Sequence, residues 1–104
     1  MENKIQEMQI LEQNLQNILM QKQTFQIELA ETNGALEELE KSGDDVYKII
    51  GQLMLKTEKS KIKTELEEKR KMLKIRMKTI ENQENSLVER AEILREEVMK
   101  SMKK

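Results

Sequence analysis

The sequence predicts a mainly α-helical protein, a long antiparallel two-helix coiled-coil hairpin with a small β-hairpin at the bend. Two long segments carry apolar residues every seven residues, and residues 46–56, rich in β-branched side chains, lie between them. Of 104 residues, 38% are charged, 2% are aromatic and none is proline. Such a composition provides a narrow apolar seam rather than a globular core.

The first predicted helix covers about residues 2–41 and keeps one heptad frame from Met8 to Leu39. Its a positions are Met8, Leu15, Lys22, Leu29 and Leu36, and its d positions are Leu11, Ile18, Phe25, Thr32 and Leu39. The apolar residues stay in phase across Asn33-Gly34, so we expect a continuous helix there rather than a turn. Gly43 is expected to end the helix in the left-handed conformation.

The second predicted helix covers about residues 60–103, with Ser60 or Thr57 as its N-cap. Its d positions are Leu66, Leu73, Ile80, Leu87 and Leu94, and its a positions are Arg70, Met77, Glu84, Ala91 and Val98. In an antiparallel pair the numbers of facing residues have a constant sum. Leu36 with Leu66 and Leu29 with Leu73 both give 102, twice 51, which places the bend at Gly51.

Four seam positions hold polar side chains: Lys22, Thr32, Arg70 and Glu84. In this register Lys22 and Glu84 fall in adjacent layers, and the sequence leaves open whether they pair. One interpretation, which we favour, is that long side chains reach from the seam into water. The other is that polar contacts fix the register at a cost in stability.

Residues 46–56 are predicted to form a β-hairpin around the turn Gly51-Gln52. Successive side chains of a strand point to opposite faces, and here both faces of the hairpin are largely apolar. An isolated two-stranded hairpin is only marginally stable in water. We therefore expect these strands to join strands of other subunits in an intersubunit β-barrel; the alternative is a loop folded onto its own helices. The predicted oligomerisation residues are Val46, Tyr47, Ile49, Ile50, Gly51, Leu53, Met54 and Leu55.

The free ends of the two helices carry more apolar side chains than one seam requires. These residues are Ile5, Met8, Ile10, Leu11, Leu94, Val98, Met99 and Met102. An ordinary seam accounts for half of them but not for Ile10, Met99 or Met102. Because methionine adapts to many shapes, we predict a loosely held, splayed tip that binds exposed apolar segments of other proteins.

The chain lacks the residues that most catalytic and metal sites use. It has no histidine and no cysteine, so the commonest zinc ligands and acid–base catalysts are missing. Glu65 and Glu67 are expected to pair with Lys69 and Lys71, four residues further along the helix. We predict no enzyme activity, no catalytic residue, no metal site and no cofactor.

Charge and hydropathy argue against two further classes of partner. A net charge of -1 does not suit nucleic-acid binding, which neutralises phosphates, and no apolar run approaches the length of a membrane span. Without cysteine or a signal peptide, a cytoplasmic location is expected. Residues 69–78 (KRKMLKIRMK) could alternatively bind acidic membranes or act as a calmodulin-type ligand, although the heptad already uses Leu73, Met77 and Ile80.

Five short motifs give the chain a specific resemblance: residues 21–23 (QKQ), 35–39 (ALEEL), 45–51 (DVYKIIG), 53–56 (LMLK) and 80–84 (IENQE). On these residues it resembles the β-class subunits of prefoldin, the ATP-independent chaperone of archaea and eukaryotes, and is most similar to the archaeal form. The resemblance covers nearly the whole chain. It differs in that Gly34 replaces a helix-favouring residue and the chain ends at Lys104 without a longer tail.

The resemblance implies one prefoldin-like domain over residues 1–104 and a hetero-hexamer with α-class prefoldin subunits and other β copies. It also implies an ATP-independent holdase that captures non-native proteins at the coiled-coil tips and delivers them to a group II chaperonin. From the residues alone, a structural antiparallel coiled-coil tether with the β-hairpin as an oligomerisation tab is the alternative.

Overall fold

Two long helices and a two-stranded antiparallel sheet make up residues 2–102, the part of the chain that the structure, a computed structural model, describes. In chain order the elements are α1 (Glu2–Lys41), β1 (Val46–Ile50), β2 (Leu53–Thr57) and α2 (Lys59–Met102). This confirms the predicted mainly α fold with a small β-hairpin between two helices. Lys103, the predicted end of the second helix, lies outside the described residues.

Burial along both helices follows the heptad positions. Every predicted a and d residue of the two helices is buried or half-buried, whereas most other helical positions are exposed. The buried apolar side chains are Leu11, Leu36, Leu39, Leu73, Ile80 and Leu94. Because the seam recurs every 3.5 residues, this pattern confirms the coiled coil.

Backbone contacts divide the protein into two units. The terminal unit contains the described residues up to Thr24 and from Met77 onward, and the hairpin unit is Phe25–Arg76. Within the terminal unit, the ion pair Lys4–Glu97 joins α1 to α2 at 3.4 Å. Each unit thus contains one portion of each helix.

The end of α1 differs from the prediction. The helix is continuous through Asn33-Gly34, as expected, and ends at Lys41. Gly43, however, does not adopt a left-handed conformation. Among the described residues, Gly51 is the one glycine with a positive φ. Ser42 closes the helix instead: its backbone N–H and its Oγ donate to the Leu39 carbonyl, at 3.3 and 2.8 Å. These bonds satisfy a carbonyl that the helix end would otherwise leave unpaired.

The start of α2 also requires a correction. The helix begins at Lys59, and the Glu58 carbonyl accepts the first helical hydrogen bond, from the Ile62 N–H at 3.2 Å. Ser60 therefore lies inside the first turn and Thr57 belongs to β2, so neither is the N-cap. The Lys59 Nζ donates to the Ser42 carbonyl at 2.9 Å, a contact that favours this starting point.

The β-hairpin has the register that the sequence predicts around a two-residue turn. Ile50 pairs with Leu53, Ile49 with Met54, and the ladder continues to Val46 opposite Thr57. Gly51 has a φ of 59°, and no other described residue has a positive φ. A positive φ at the first central position alone is the pattern of a type II′ turn, which matches the twist of antiparallel strands.

Candidate functional site

The large apolar side chains of the β-hairpin are exposed. Six large side chains are between 48% and 69% exposed: Tyr47, Ile49, Ile50, Leu53, Met54 and Leu55. Val46 is half-buried. A loop folded onto its own helices would cover these groups, so that alternative does not hold.

Cross-strand pairs give the hairpin two apolar faces. Ile49 and Met54 are partners on one face, and Ile50 and Leu53 are partners on the other. The sheet has only two strands, so each strand also has one edge of unpaired backbone N–H and C=O groups. Exposed strand edges with apolar side chains are templates for pairing with another chain. The hairpin is therefore a candidate assembly surface.

Two ion pairs involve the hairpin, and one of them attaches it to α2. The Lys48 Nζ on β1 lies 3.2 Å from the Glu65 Oε2 on α2. Glu65 thus pairs with Lys48 of the strand and not with Lys69. The prediction of a Glu65–Lys69 pair along the helix is wrong. Lys56 and Asp45 pair at 3.3 Å at the base of the hairpin. All four side chains are at least 43% exposed, so these pairs orient the hairpin more than they stabilise it.

The predicted tip residues, all in the terminal unit, fall into a group packed in the seam and a group exposed to solvent. Leu11 and Leu94 are buried at 5% and 7% exposure, and Met8 and Val98 are half-buried in the seam. The exposed group is Ile5, Ile10, Met99 and Met102, between 42% and 71% exposed. The exposed group is the part of the set that can contact another protein directly.

The expected splaying of the tip is absent at the layer of Leu11 and Leu94. Both side chains are buried, because the seam continues beyond them to Lys4, which pairs with Glu97. Ile93, which is not among the predicted tip residues, is 58% exposed. The residue numbers of Ile10 and Ile93 sum to 103, close to the value of 102 for facing residues. The two isoleucines therefore lie at nearly the same height along the antiparallel helix pair. An isoleucine outside a and d was the signal that could have identified Ile93.

Three of the four polar seam residues make a hydrogen bond or an ion pair. The Lys22 Nζ lies 3.4 Å from the Glu84 Oε1, so the two residues do pair across the seam. The Thr32 side chain is 3% exposed, and its hydroxyl donates to the Glu28 carbonyl of its own helix at 2.8 Å. Arg70 is half-buried.

Residues 2–102 contain neither a metal-binding cluster nor a membrane-spanning helix. No group of three or more acidic side chains is arranged to hold a metal ion. Neither described helix has a stretch that is long and apolar enough to cross a membrane.

Comparisons with known proteins identify the family. A model of the family described as "Prefoldin subunit" matches residues 2–104. The chain belongs to the prefoldin family. Its fold is similar to the crystal structure of the prefoldin beta subunit from Thermococcus strain KS-1, with a TM-score of 0.88, 36% identity, and coverage of 96% of this chain and 90% of that one.

Curated relatives agree with this family. The chain is 39% identical to the prefoldin subunit beta of Thermococcus onnurineus over 94 residues, which are 88% of this chain and 81% of that protein. It is 35% identical to the same subunit of Methanothrix thermoacetophila over 103 residues, 97% and 86% of the two chains. The resemblance to prefoldin β subunits is thus confirmed. Prefoldin subunits are chaperones, not enzymes, and they form oligomeric complexes.

Proposed function

We propose that this chain is an ATP-independent holdase subunit of a prefoldin assembly. It captures non-native polypeptides on exposed apolar side chains of the terminal unit and delivers them to a group II chaperonin. One observation carries the proposal: a member of a chaperone family exposes Ile5, Ile10, Met99 and Met102 close to the free ends of both helices. Unfolded proteins expose apolar segments, and these side chains offer them a matching surface.

The chemistry of these side chains suits a client of no fixed sequence. Met99 and Met102 are 54% and 71% exposed, and methionine is unbranched and polarizable, so it adapts to many apolar partners. Each contact is weak and reversible, because only part of a side chain becomes buried. A client can therefore leave without nucleotide hydrolysis once a partner with a larger apolar surface competes for it.

The proposed assembly uses the β-hairpin. Val46, Tyr47, Ile49, Ile50, Gly51, Leu53, Met54 and Leu55 pair with hairpins of α-class subunits and other β copies in a hetero-hexamer. Closing the strands into intersubunit barrels would remove the free edges and cover both apolar faces. An assembly also presents several tips to one client, which raises its avidity without any new type of contact. A single domain over residues 1–104, a cytoplasmic location and the absence of nucleic-acid partners remain predictions.

The test compares two triple variants of the full chain, each co-expressed with an α-class prefoldin subunit. Ile10→Glu/Met99→Glu/Met102→Glu changes the proposed client surface. Its matched control, Leu19→Glu/Met20→Glu/Val88→Glu, changes three apolar residues of the same unit that are also at least 40% exposed. Complex mass is measured by light scattering, and aggregation of an unfolded client is followed without nucleotide.

We expect a complex of about six subunits for all three proteins, with aggregation suppressed by the wild type and the control but not by the tip variant. Equal suppression by the tip variant would contradict the assignment of these residues. A monomer or dimer that leaves aggregation unchanged would favour the structural tether. Delivery is tested by adding a group II chaperonin and measuring transfer of labelled client.

A further inference from the structure

Positive charge is concentrated on one short segment of α2. Residues 69–76 (KRKMLKIR), here called the basic patch, lie in the hairpin unit and contain five of the chain's 19 Lys and Arg residues and no acidic residue. The other 96 residues carry 14 basic against 20 acidic side chains, a net charge of -6. The patch is therefore opposite in sign to the rest of the protein.

No ion pair within 4.0 Å engages the basic patch in the part of the chain that the structure describes. The ion pairs within 4.0 Å among residues 2–102 are Lys4–Glu97, Lys22–Glu84, Lys48–Glu65 and Lys56–Asp45, and none involves the patch. Glu65, one turn before Lys69, is engaged by Lys48 instead. Lys69, Lys71, Lys74 and Arg76 are exposed to solvent, where they attract an anionic partner.

Two apolar side chains lie among these charges. Met72 is 55% exposed and Ile75, three residues further along the same helix, is 60% exposed. Residues three apart are neighbours on a helix surface. Leu73 between them is only 4% exposed, so the seam uses Leu73 and leaves Met72 and Ile75 outside. The patch thus combines two adjacent apolar anchors with surrounding positive charge.

We propose that the basic patch docks an acidic, amphipathic segment of another polypeptide. Acidic side chains of that segment would lie against Lys71 and Lys74, while its apolar side chains would cover Met72 and Ile75. Burial of these anchors adds affinity and orientation that charge alone does not provide. The proposal is independent of client capture in the terminal unit.

The size and surroundings of the patch favour a peptide segment over a membrane. Eight helical residues span about 12 Å, which suits a short segment. Glu65, Glu67 and Glu68 lie within one turn before the patch, so a flat anionic surface would meet repelling carboxylates next to it. Two apolar anchors also bury little area compared with the apolar face of a membrane-binding helix.

The test measures binding of a labelled twelve-residue peptide of alternating Glu and Leu to the full chain by fluorescence anisotropy. A peptide with Gln in place of Glu is the control ligand. Lys71→Glu/Lys74→Glu should weaken binding about tenfold, because each reversal replaces a weak attraction with a repulsion. The matched control Lys61→Glu/Lys63→Glu changes two exposed lysines of the same helix and unit outside the patch, and should change affinity less than about twofold.

The apolar part of the proposal has its own variant. Met72→Ser/Ile75→Ser should weaken binding of the acidic peptide, whereas Ile27→Ser, at a site on α1 that is 59% exposed, should not. Circular dichroism confirms that each variant folds. The tip variant Ile10→Glu/Met99→Glu/Met102→Glu should bind the peptide normally, which separates this proposal from the holdase function.

Three results would overturn the proposal. Equal weakening by the Lys61/Lys63 control would mean that binding is general electrostatic attraction. Binding of phosphatidylglycerol vesicles without binding of the peptide would assign the patch to membranes. Concentration-dependent dimerisation that Lys71→Glu/Lys74→Glu abolishes, with no peptide binding, would assign it to a second copy of this chain.

Discussion

The Nζ of Lys22 lies 3.4 Å from the Oε1 of Glu84 across the coiled-coil seam, with side chains 25% and 21% exposed. The second carboxylate oxygen, Oε2, is buried and accepts no hydrogen bond among the described residues. A partly buried charge with one unsatisfied oxygen depends strongly on its partner. The pair therefore supports the interpretation in which polar seam residues fix the register.

Lys22→Met should lower the free energy of unfolding by about 1–2 kcal/mol, because Glu84 loses its partner while remaining in the seam. Replacing both residues by leucine should restore or exceed the original stability. Urea denaturation at fixed protein concentration measures both effects. Lys4→Met is the control, since the Lys4–Glu97 pair is 42% and 45% exposed and should change stability by less than about 1 kcal/mol. No loss in Lys22→Met would show that the pair does not stabilise the fold.

Ile49→Lys/Met54→Lys should prevent oligomerisation while leaving the helices intact. The two residues are cross-strand partners that are 69% and 65% exposed, so lysine there meets water in the single chain but an apolar interface in the assembly. Light scattering gives the mass and circular dichroism the helix content. Leu19→Lys/Met20→Lys in the terminal unit serves as the control and should keep the wild-type mass. A variant complex of unchanged mass would exclude the hairpin as the assembly surface.

Two glycine substitutions should change stability in opposite directions. Gly51→Ala forces a side chain into a φ of 59° and should cost about 1–2 kcal/mol. Gly34→Ala lies inside α1, where an added Cβ meets nothing within 4 Å, and should gain about 1 kcal/mol through helix propensity. Thermal denaturation measures both. A stabilised Gly51→Ala variant would be inconsistent with the type II′ turn.

Substitutions at two positions of α2, two residues apart, should distinguish a seam residue from a surface residue by their effect on stability. Leu73→Ala removes a side chain that is 4% exposed and should cost about 2–4 kcal/mol through lost burial and the cavity left behind. Ile75→Ala, at 60% exposure, should stay within about 0.5 kcal/mol of the wild type. The difference between the urea midpoints of the two variants measures how much more a seam residue contributes to stability than a surface residue. Equal effects would mean that α2 is rotated from the register described above.

The heptads were sufficient to predict which helical residues are buried, because a supercoiled seam is a local periodic property of the sequence. The helix ends were harder to predict. Gly43 and Ser60 have favourable capping chemistry, yet Ser42 closes α1 and Glu58 precedes α2. The hydrogen bond from Lys59 to the Ser42 carbonyl joins residues that are distant in sequence, so local rules do not anticipate it.

The surface residues that matter for binding were predicted less completely. Ile10, Met99 and Met102 stood out because the tip had more apolar residues than its seam needs. Ile93 and Met72 were missed, since each occurs beside a heptad leucine that explained the local hydropathy. Their exposure became clear only when the helix faces were fixed by packing.

The contacts that α2 makes with earlier parts of the chain close loops of very different length. Lys59 and Ser42 are 17 residues apart, and so are Lys48 and Glu65, whereas Lys22 and Glu84 are 62 apart. The entropy cost of closing a loop grows with its length. We therefore expect contacts between the helices to form first near the bend and last near the chain ends, and to be lost in the reverse order. Hydrogen exchange should then be slower near Leu36 than near Leu11. The side chains proposed to hold unfolded proteins would thus belong to the part of the molecule that is itself closest to unfolding.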